Sequence, residues 1–426
     1  MRLRRKRDLI CTVLLLSALC ILLYVQMQSV TPWVDKQEGD GEPSADRSAT
    51  VQSTAAADQT GSPATENTCP PGREPEAGRA QAVTPRDLLP WNYRQYLWQK
   101  DCRQFNQIIN QEDKCRKSDG EALLLLSIKS KVEEFERREV VRKTWAREGR
   151  VGGLAVRRLF LLATPANQSA VAAWGRLLQH ESRLYGDILL WDFQDTFFNL
   201  TLKEIHFLQW LDHFCPAAEF VFKGDDDVFV NVENLADFLA DADPARDLFV
   251  GHIIQQALPI RSNTSKYYIP EMMYGPGTYP VYAGGGGFLM SGHTARRLYG
   301  ASKEVDLFPI DDVFLGMCLL RLGLAPQTHK GFRTFGIARP SAAPHLQTFD
   351  PCFYRELMVV HSLKVPEIWL MWRLLHDPRV RCARERRPAR PFRWNKASPR
   401  RGAGGGERPP THLGQMVPAM SLPAPL

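Results

Sequence analysis

Residues 219–230 read Glu-Phe-Val-Phe-Lys-Gly-Asp-Asp-Asp-Val-Phe-Val, an apolar stretch followed directly by three adjacent aspartates. Phe and Val are typical of buried strands, so the first half predicts a β-strand that ends at the acidic cluster. Neighbouring carboxylates repel one another and raise one another's pKa unless a cation is present. Because open α/β sheets bind ligands at the carboxyl ends of their strands, the stretch predicts a ligand site there.

The three aspartates do not point in one direction. In extended backbone, Asp225 and Asp227 lie on the same face of the strand and Asp226 lies on the other. Two oxygen ligands on one side, with room for phosphates, suit Mg²⁺ or Mn²⁺. The alternative is a solvated acidic turn, since Asp-x-Asp alone is common. The apolar residues on both sides favour the metal site.

Strand and helix patterns alternate along the chain before this stretch. The predicted strands are Leu123–Ile128, Leu159–Ala163, Asp187–Trp191 and Glu219–Lys223, and the predicted helices cover about 132–147, 169–184 and 201–215. This alternation predicts an α/β fold with a mostly parallel sheet covered on both faces. No Gly-x-Gly-x-x-Gly follows the first strand and no P-loop occurs, which disfavours dinucleotide enzymes and NTPases.

Three later segments also carry chemistry. Ala283–Phe288 contains four consecutive glycines, which allow close backbone approach or unusual dihedral angles, although a flexible turn is the alternative. Asp311 and Asp312 open an apolar helical pattern that runs through Leu322. Carboxylates at such a position often cap the helix by accepting its free N–H groups. Capping and a functional role can hold together if one aspartate caps the helix and the other faces the cleft. His361 ends an apolar segment, and a lone histidine there is more often structural than a ligand.

The positive charge lies at the two ends of the chain. The formal net charge is +7, with five basic residues against one acid in residues 1–8 and nine against two in residues 383–426. Residues 9–382 therefore carry a net charge of −4. This distribution disfavours a basic nucleic-acid-binding fold, so nucleic acid is not an expected partner.

The ends also predict a membrane topology. Residues 9–25 form an uncharged, mostly apolar run that follows a basic cluster. The positive-inside rule predicts a cytoplasmic tail at 1–8 and a single-pass type II signal-anchor at 9–25, with a cleaved signal peptide as the alternative. Residues 26–86 are expected to be a flexible lumenal stem, 87–382 the catalytic domain, and 383–426 a basic, Pro/Gly-rich disordered tail.

Cysteines and sequons agree with a lumenal domain. Seven of the nine cysteines follow the predicted anchor, and no pair has zinc-ligand CxxC spacing. Their connectivity does not follow from the sequence. Three Asn-x-Ser/Thr sequons, at Asn167, Asn199 and Asn263, are candidate N-glycosylation sites.

At these motifs the sequence resembles the β-1,3-N-acetylglucosaminyltransferases, a family of inverting β-1,3-glycosyltransferases. The matching motifs are RREVVRKTW (137–145), DTFFNLTLKEIHFLQWL (195–211), FKGDDDVFVN (222–231), KYYIP (266–270), YAGGGGF (282–288), PIDDVFLGMC (309–318), KGFRTFGI (330–337) and VVHS (359–362). They follow the family order and span about 87–382. The resemblance implies a Golgi membrane enzyme with a GT-A (nucleotide-sugar, Rossmann-like) catalytic domain. It further implies UDP-GlcNAc as donor, a galactose-terminated glycan as acceptor, and Mn²⁺, with Mg²⁺ as the other option.

The resemblance also assigns roles to individual residues. It makes Asp312 the catalytic base, Asp227, Asp225 and His361 metal ligands, and Cys215 with Cys318 a disulfide pair, and it matches Asn199 to a glycosylated position. The implied donor contacts are Arg138, Arg142, Trp145, Asp225, Asp226, Gly284, Gly285, Gly286 and Gly287. One departure is Gly251-His252, where the family usually has Gly-Asp, and this difference falls on the acceptor side of the expected cleft.

Two other functions stay open at this point. A β-1,3-galactosyltransferase that uses UDP-Gal is close, because donor choice depends on a few pocket contacts. A catalytically silent Golgi partner of related glycosyltransferases belongs to a different class. The acidic residues argue against silence, since an unused acidic cluster costs stability.

Overall fold

The computed structural model describes residues 89–90, 93–94, 96–97, 101–116, 122–165, 167, 171–334 and 351–382, with the backbone alone at 172 and 353. The predicted tail 1–8, anchor 9–25, stem 26–86 and C-terminal tail 383–426 lie outside the described residues. Within the ranges that are described, no helix has both the length and the apolar character needed to span a bilayer.

Twelve strands occur in the described part of the chain. They are β1 (Gln107–Ile109), β2 (Ala122–Lys129), β3 (Gly149–Val151), β4 (Leu154–Thr164), β5 (Ile188–Gln194), β6 (Phe220–Asp225), β7 (Phe229–Val230), β8 (Phe249–Ile254), β9 (Tyr282–Ser291), β10 (Gln327–Thr328), β11 (Phe332–Arg333) and β12 (Val359–Val360).

The helices alternate with the strands, as the sequence predicts. They are α1 (Phe135–Lys143), α2 (Val171–Tyr185), α3 (Leu200–Phe214), α4 (Val232–Leu239), α5 (Gly292–Ser302), α6 (Asp311–Arg321), α7 (Pro351–Tyr354) and α8 (Val365–Leu375), with a 3₁₀ turn at Phe197–Asn199. The helix predicted over about 132–147 is shorter in the structure, where it covers only Phe135–Lys143.

The main sheet has the strand order β1-β5-β4-β2-β6-β9-β8-β10, with β3 added beside β4. Its centre, β5-β4-β2-β6, is parallel, which confirms the α/β prediction. Strand β9 is antiparallel to both β6 and β8, so the glycine run belongs to a central strand and not to a turn. A second sheet, β11-β12-β7, packs its short strands beside the carboxyl end of β6.

The sheet is buried on both faces. Along β2, Leu124, Leu126 and Ile128 enter one apolar cluster, while Leu123 and Leu125 enter the other. Helices α1, α2, α4 and α8 supply buried residues to the first cluster, and α3, α5 and α6 supply them to the second. Burial on both faces explains why β2 is a continuous apolar run instead of an alternating one.

The disulfide pairing differs from the expected one. Cys215 bonds to Cys115, with 5.3 Å between their Cα atoms, and Cys352 bonds to Cys382. The expected Cys215–Cys318 pair is therefore wrong, because Cys215 already has its partner and Cys318 is a free, buried thiol on α6. Burial raises the pKa of Cys318 to about 12, so it stays a neutral, inert side chain.

A buried ion-pair network joins α1 to the sheet. Asp187 is fully buried and accepts hydrogen bonds from Arg142 (Nη2–Oδ1, 2.8 Å) and Arg158 (Nε–Oδ2, 2.7 Å). Glu181 pairs with Arg142 (2.6 Å) and with Arg138 (2.7 Å). Although burial raises the pKa of Asp187, the two arginines hold it below its usual value, so the carboxylate stays charged.

Replacing one member of this network tests its contribution to stability. We expect Asp187→Asn to lower the free energy of unfolding by about 3–5 kcal/mol, because it leaves buried guanidinium groups without their full counter-charge. The control is Glu304→Gln, which removes an exposed carboxylate that pairs with Arg321 at 2.7 Å and costs at most about 1 kcal/mol. Urea unfolding followed by circular dichroism measures both. Equal losses in the two variants would contradict a special role for the buried network.

Candidate functional site

The sequence-predicted acidic residues meet at the carboxyl edge of the main sheet. Strand β6 ends at Asp225, and the chain then turns through Asp226 and Asp227 into β7. Strand β12 pairs with β7 and delivers His361 directly after its last residue. The apolar strands thus fix the positions of the polar groups that follow them.

Asp225, Asp227 and His361 form one cluster. One ligand atom from each lies within 4.8 Å of the others. The His361 Nε2 lies 3.2 Å from Asp227 Oδ1 and 3.7 Å from Asp225 Oδ2. Two carboxylates and an imidazole on one side of the edge form a donor set that suits a divalent cation.

The imidazole of His361 is held from behind. Its Nδ1 lies 2.5 Å from the carbonyl oxygen of Thr334, which can only accept, so Nδ1 carries the proton and Nε2 faces the carboxylates. Burial lowers the pKa of His361, but the hydrogen bond and charge of Asp227 outweigh burial and raise it to about 9. Burial likewise raises the pKa of Asp227, and His361 lowers it below its usual range.

The four glycines of β9 allow neighbouring side chains to approach closely. A Cβ on Gly286 would lie 2.6 Å from Cγ of His361, and one on Gly284 would lie 2.6 Å from Oγ1 of Thr334. A Cβ on Gly287 would meet Val359 at 2.9 Å. At Gly285, the nearest atoms would be 3.7 Å away or more, an ordinary contact. Protein side chains therefore pack closely against the strand, and the expected contact of Gly284–Gly287 with a donor stays a prediction.

Asp312 lies in the first turn of α6, beside β9. Its Oδ1 accepts a hydrogen bond from the backbone N–H of Val313 (2.8 Å), and its Oδ2 accepts one from the backbone N–H of Gly285 (3.2 Å). Burial and, next, the neighbouring charge of Asp311 raise the pKa of Asp312 to about 7. A carboxyl with a pKa near neutrality suits a general base.

A buried lysine connects the two acidic groups. The Lys129 Nζ lies 2.6 Å from Asp311 Oδ2, 3.2 Å from Asp225 Oδ1 and 3.9 Å from Glu204 Oε1. The β2–β6 register places Lys129 opposite Asp225, so the contact follows from strand pairing. Burial lowers the pKa of Lys129, but these carboxylates together raise it well above its ordinary value. Beside them, Lys223 pairs with Glu204 at 3.0 Å.

Three of the expected donor contacts lie elsewhere. Arg138 and Arg142 are buried in the network with Glu181 and Asp187, and Trp145 is buried in a T-shaped contact with Phe222. The structure therefore does not bring these side chains to the acidic edge. Their physical role here is to fix α1 against α2 and the sheet.

Asp226 and Arg137 complete the edge. The Asp226 side chain is buried, and burial is the main reason that its pKa rises to about 7. Arg137 Nη1 lies 3.5 Å from Asp226 Oδ1 and 3.7 Å from Asp227 Oδ2. Asp226 is thus placed beside the site, as expected, but it faces a protein cation.

His252, the departure from the family pattern, lies near the same edge. Its Nδ1 is 2.9 Å from the Thr334 hydroxyl, on the residue whose carbonyl orients His361. Burial and then Arg333 lower the pKa of His252, so its imidazole is neutral at pH 7. Where the family usually has an aspartate, this chain therefore has a neutral imidazole beside Thr334, the residue that orients His361.

The three sequons differ in their surroundings. Asn167 and Asn263 are exposed. Asn199 ends the 3₁₀ turn, and its Nδ2 donates a hydrogen bond to the carbonyl oxygen of Gln194 at 2.9 Å. The buried hydroxyl of Thr201, in the same sequon, donates to the carbonyl oxygen of Phe308. Glycosylation at all three positions stays a prediction.

Sequence reasoning missed Lys129, Glu204, Thr334 and Arg137. Lys129 had one usable signal, since a lysine at the carboxyl end of a buried strand needs a counter-charge. Glu204 lies within a predicted helix, and its partners Lys129 and Lys223 lie on other elements, so the helical pattern does not identify it. Thr334 acts through its backbone carbonyl, which no side-chain pattern reveals.

The sequence profile of the family described as Galactosyltransferase matches residues 136–330. The chain is 51% identical over 410 residues to the human protein named UDP-GlcNAc:betaGal beta-1,3-N-acetylglucosaminyltransferase 9, which covers 92% of this chain and 99% of that protein. It is 53% identical over 289 residues to the Mus musculus protein named UDP-GlcNAc:betaGal beta-1,3-N-acetylglucosaminyltransferase 7, covering 67% of this chain and 72% of that protein.

A third relative has a name that describes a different acceptor. The human protein named acetylgalactosaminyl-O-glycosyl-glycoprotein beta-1,3-N-acetylglucosaminyltransferase is 46% identical over 310 residues, covering 72% of this chain and 80% of that protein.

The close packing at Gly286 gives a testable consequence. We expect Gly286→Ala to destabilise the fold by about 1–3 kcal/mol, because the new methyl group overlaps the imidazole near its backbone attachment and His361 must shift. Gly285→Ala is the matched control, since its methyl group makes ordinary contacts and leaves stability nearly unchanged. Urea unfolding compares the two variants. A Gly286→Ala protein as stable as Gly285→Ala would show that the imidazole does not pack against β9.

Proposed function

Because the chain belongs to the β-1,3-N-acetylglucosaminyltransferase family and has a GT-A-like α/β fold, we propose the following activity. It transfers N-acetylglucosamine from UDP-GlcNAc to the 3-hydroxyl of a terminal β-galactose on a glycan. One observation carries this proposal: a candidate metal-ligand cluster and a partly buried carboxyl of raised pKa, Asp312, lie at the same edge, where Lys129 contacts both Asp225 and Asp311. Metal-assisted inverting transfer uses both groups at one site, the cation for the leaving diphosphate and the carboxylate for the acceptor proton.

The proposed metal is Mn²⁺, with Mg²⁺ as the other option. Asp225, Asp227 and His361 supply two oxygen ligands and one nitrogen ligand, and this donor set fits such an ion. When bound, the ion would supply charge neutralisation for the diphosphate of the departing UDP. Thr334 keeps the His361 Nδ1 protonated so that Nε2 is the ligand atom.

Asp312 is the proposed catalytic base. In its ionised form it accepts the proton of the acceptor 3-hydroxyl while that oxygen forms the new bond to the anomeric carbon. UDP leaves from the opposite face with the bonding electron pair, so an α-linked donor gives a β-linked product. The backbone N–H groups of Val313 and Gly285 hold the carboxylate in position for this transfer.

The proposed location is the Golgi lumen. The apolar run 9–25 after a basic cluster supports a single-pass type II anchor in the Golgi membrane. The bonds Cys115–Cys215 and Cys352–Cys382 support an oxidising compartment. Other glycosyltransferases of the same membrane are candidate protein partners.

UDP-Gal is the second donor to be tested in the transfer assay. The matching profile is described as Galactosyltransferase, which favours a test of UDP-Gal beside UDP-GlcNAc. The purified lumenal chain with Mn²⁺ and an array of galactosides provides the measurement. We expect transfer of N-acetylglucosamine from UDP-GlcNAc, with a β-1,3 linkage in the isolated product. Transfer from UDP-Gal alone would favour the galactosyltransferase, and no turnover of either donor would favour a silent partner.

The role of Asp312 is tested by Asp312→Asn. We expect this variant to bind UDP normally and to lose transfer by about 10²- to 10⁴-fold, because the amide cannot accept the proton. Asp306→Asn, an exposed aspartate that precedes the same helix, is the matched control and should keep full activity. Undiminished turnover by Asp312→Asn would place the base on another residue.

The raised pKa of Asp312 predicts a pH profile. Only the ionised carboxylate accepts a proton, so kcat/KM should rise with pH up to about 7 and then level off. Initial rates between about pH 5.5 and 9 at saturating Mn²⁺ measure this limb. A rate that is flat through neutrality would mean that Asp312 does not titrate in the productive enzyme.

A further inference from the structure

Helix α1 carries three arginines with different environments. Arg138 and Arg142 lie on its buried face, and Glu181 and Asp187 hold their guanidinium groups. Arg137 lies on the side that faces the acidic edge, and its side chain is 32% exposed. Within α1, Arg137 is therefore the arginine that solvent and a ligand can both reach.

The guanidinium of Arg137 is held loosely. Its Nε pairs with Glu134 Oε2 at 2.9 Å, on the surface of the helix. Its Nη1 lies 3.5 Å and 3.7 Å from Asp226 and Asp227, longer than the ~2.7–2.9 Å of a full charge-assisted hydrogen bond. Its Nη2 has no hydrogen-bond partner among the described residues. Two of the three nitrogens thus keep unused hydrogen-bonding capacity.

The position of Arg137 relative to the metal ligands is specific. Asp227 lies between His361, at 3.2 Å, and Arg137, at 3.7 Å. Any anion drawn to a cation at Asp225 and Asp227 arrives beside this guanidinium. On the far side of the arginine, Asp226 is buried, and its Oδ2 has no hydrogen-bond partner, so Arg137 is the cation that balances this part of the edge.

A diphosphate matches these features. The planar guanidinium presents parallel N–H groups that fit two phosphate oxygens, which an ammonium does not do. We infer that Arg137 binds the diphosphate of the donor directly, an inference that rests on the proposed nucleotide-sugar donor. When no donor is bound, Arg137 balances the negative charge of the acidic edge. It is a donor-binding residue, and it takes the place expected for Arg138 and Arg142.

Binding measurements on the lumenal chain test this inference. Isothermal titration with UDP and with uridine, both with Mn²⁺, compares wild type, Arg137→Gln and Arg137→Lys. We expect Arg137→Gln to weaken UDP binding by at least about tenfold, since it removes a charged hydrogen bond, and to leave uridine binding unchanged. Arg137→Lys should recover part of the loss, because the charge returns without the planar fork.

The matched control is Lys143→Gln, on the same helix. Lys143 is 60% exposed and pairs with Glu139 at 2.9 Å, away from the acidic edge, so UDP binding should not change. Thermal unfolding followed by circular dichroism checks that each variant is folded. Unchanged UDP affinity in folded Arg137→Gln would overturn the inference. An equal loss of UDP and uridine affinity would also overturn it, because the contact would then be to the nucleoside.

These outcomes are separate from those of the proposed function. If wild type binds UDP and Arg137→Gln does not, while no sugar is transferred, the inference holds and the transferase activity fails. If wild type transfers N-acetylglucosamine and Arg137→Gln binds UDP equally well, the activity holds and the inference fails.

Discussion

The Lys129 ammonium lies between two carboxylates that come from distant parts of the chain. Asp225 reaches it across the β2–β6 register, and Asp311 reaches it from the start of α6. Without this cation, the two carboxylates would repel one another, and Asp311 would be buried at the start of α6 without its hydrogen-bonded counter-charge. Asp225 is itself a partner of Lys129, and Asp312 directly follows its partner Asp311, so the lysine links these two parts of the edge.

The glycine strand complements this charge. Strand β9 lies between β6 and β8, and the absence of Cβ atoms at Gly284 and Gly286 leaves room for Thr334 and His361, while the backbone N–H of Gly285 donates to Asp312. Charge therefore draws the polar groups together, and the absence of Cβ atoms lets them reach their places. Both effects are needed, because the polar side chains and the backbone of β9 occupy the same narrow region.

Sequence reasoning recovered the parts of this arrangement that depend on local pattern. The alternation of apolar strands and amphipathic helices predicts the parallel centre of the sheet, and the strand pattern places Asp225 and Asp227 on one face. The position of His361 beside them followed from the family resemblance and not from local pattern, which favoured a structural histidine. The contacts of Arg138 and Arg142 could not be predicted in this way. Their spacing places them on one helix face, but whether Glu181 and Asp187 cover that face depends on packing between distant segments. The partner of Cys215 is unpredictable for the same reason.

The bond between Cys352 and Cys382 has a consequence for the His361 segment. The two cysteines are 30 residues apart, and the chain between them contains both His361 and α8. Closing a loop of this length removes about 3–4 kcal/mol of chain entropy from the unfolded state. Reduction would therefore destabilise the folded segment that carries His361, whereas Asp225 and Asp227 lie outside the loop. The stability of the segment that places His361 beside Asp227 thus depends on the oxidation state of two cysteines that lie outside the acidic edge.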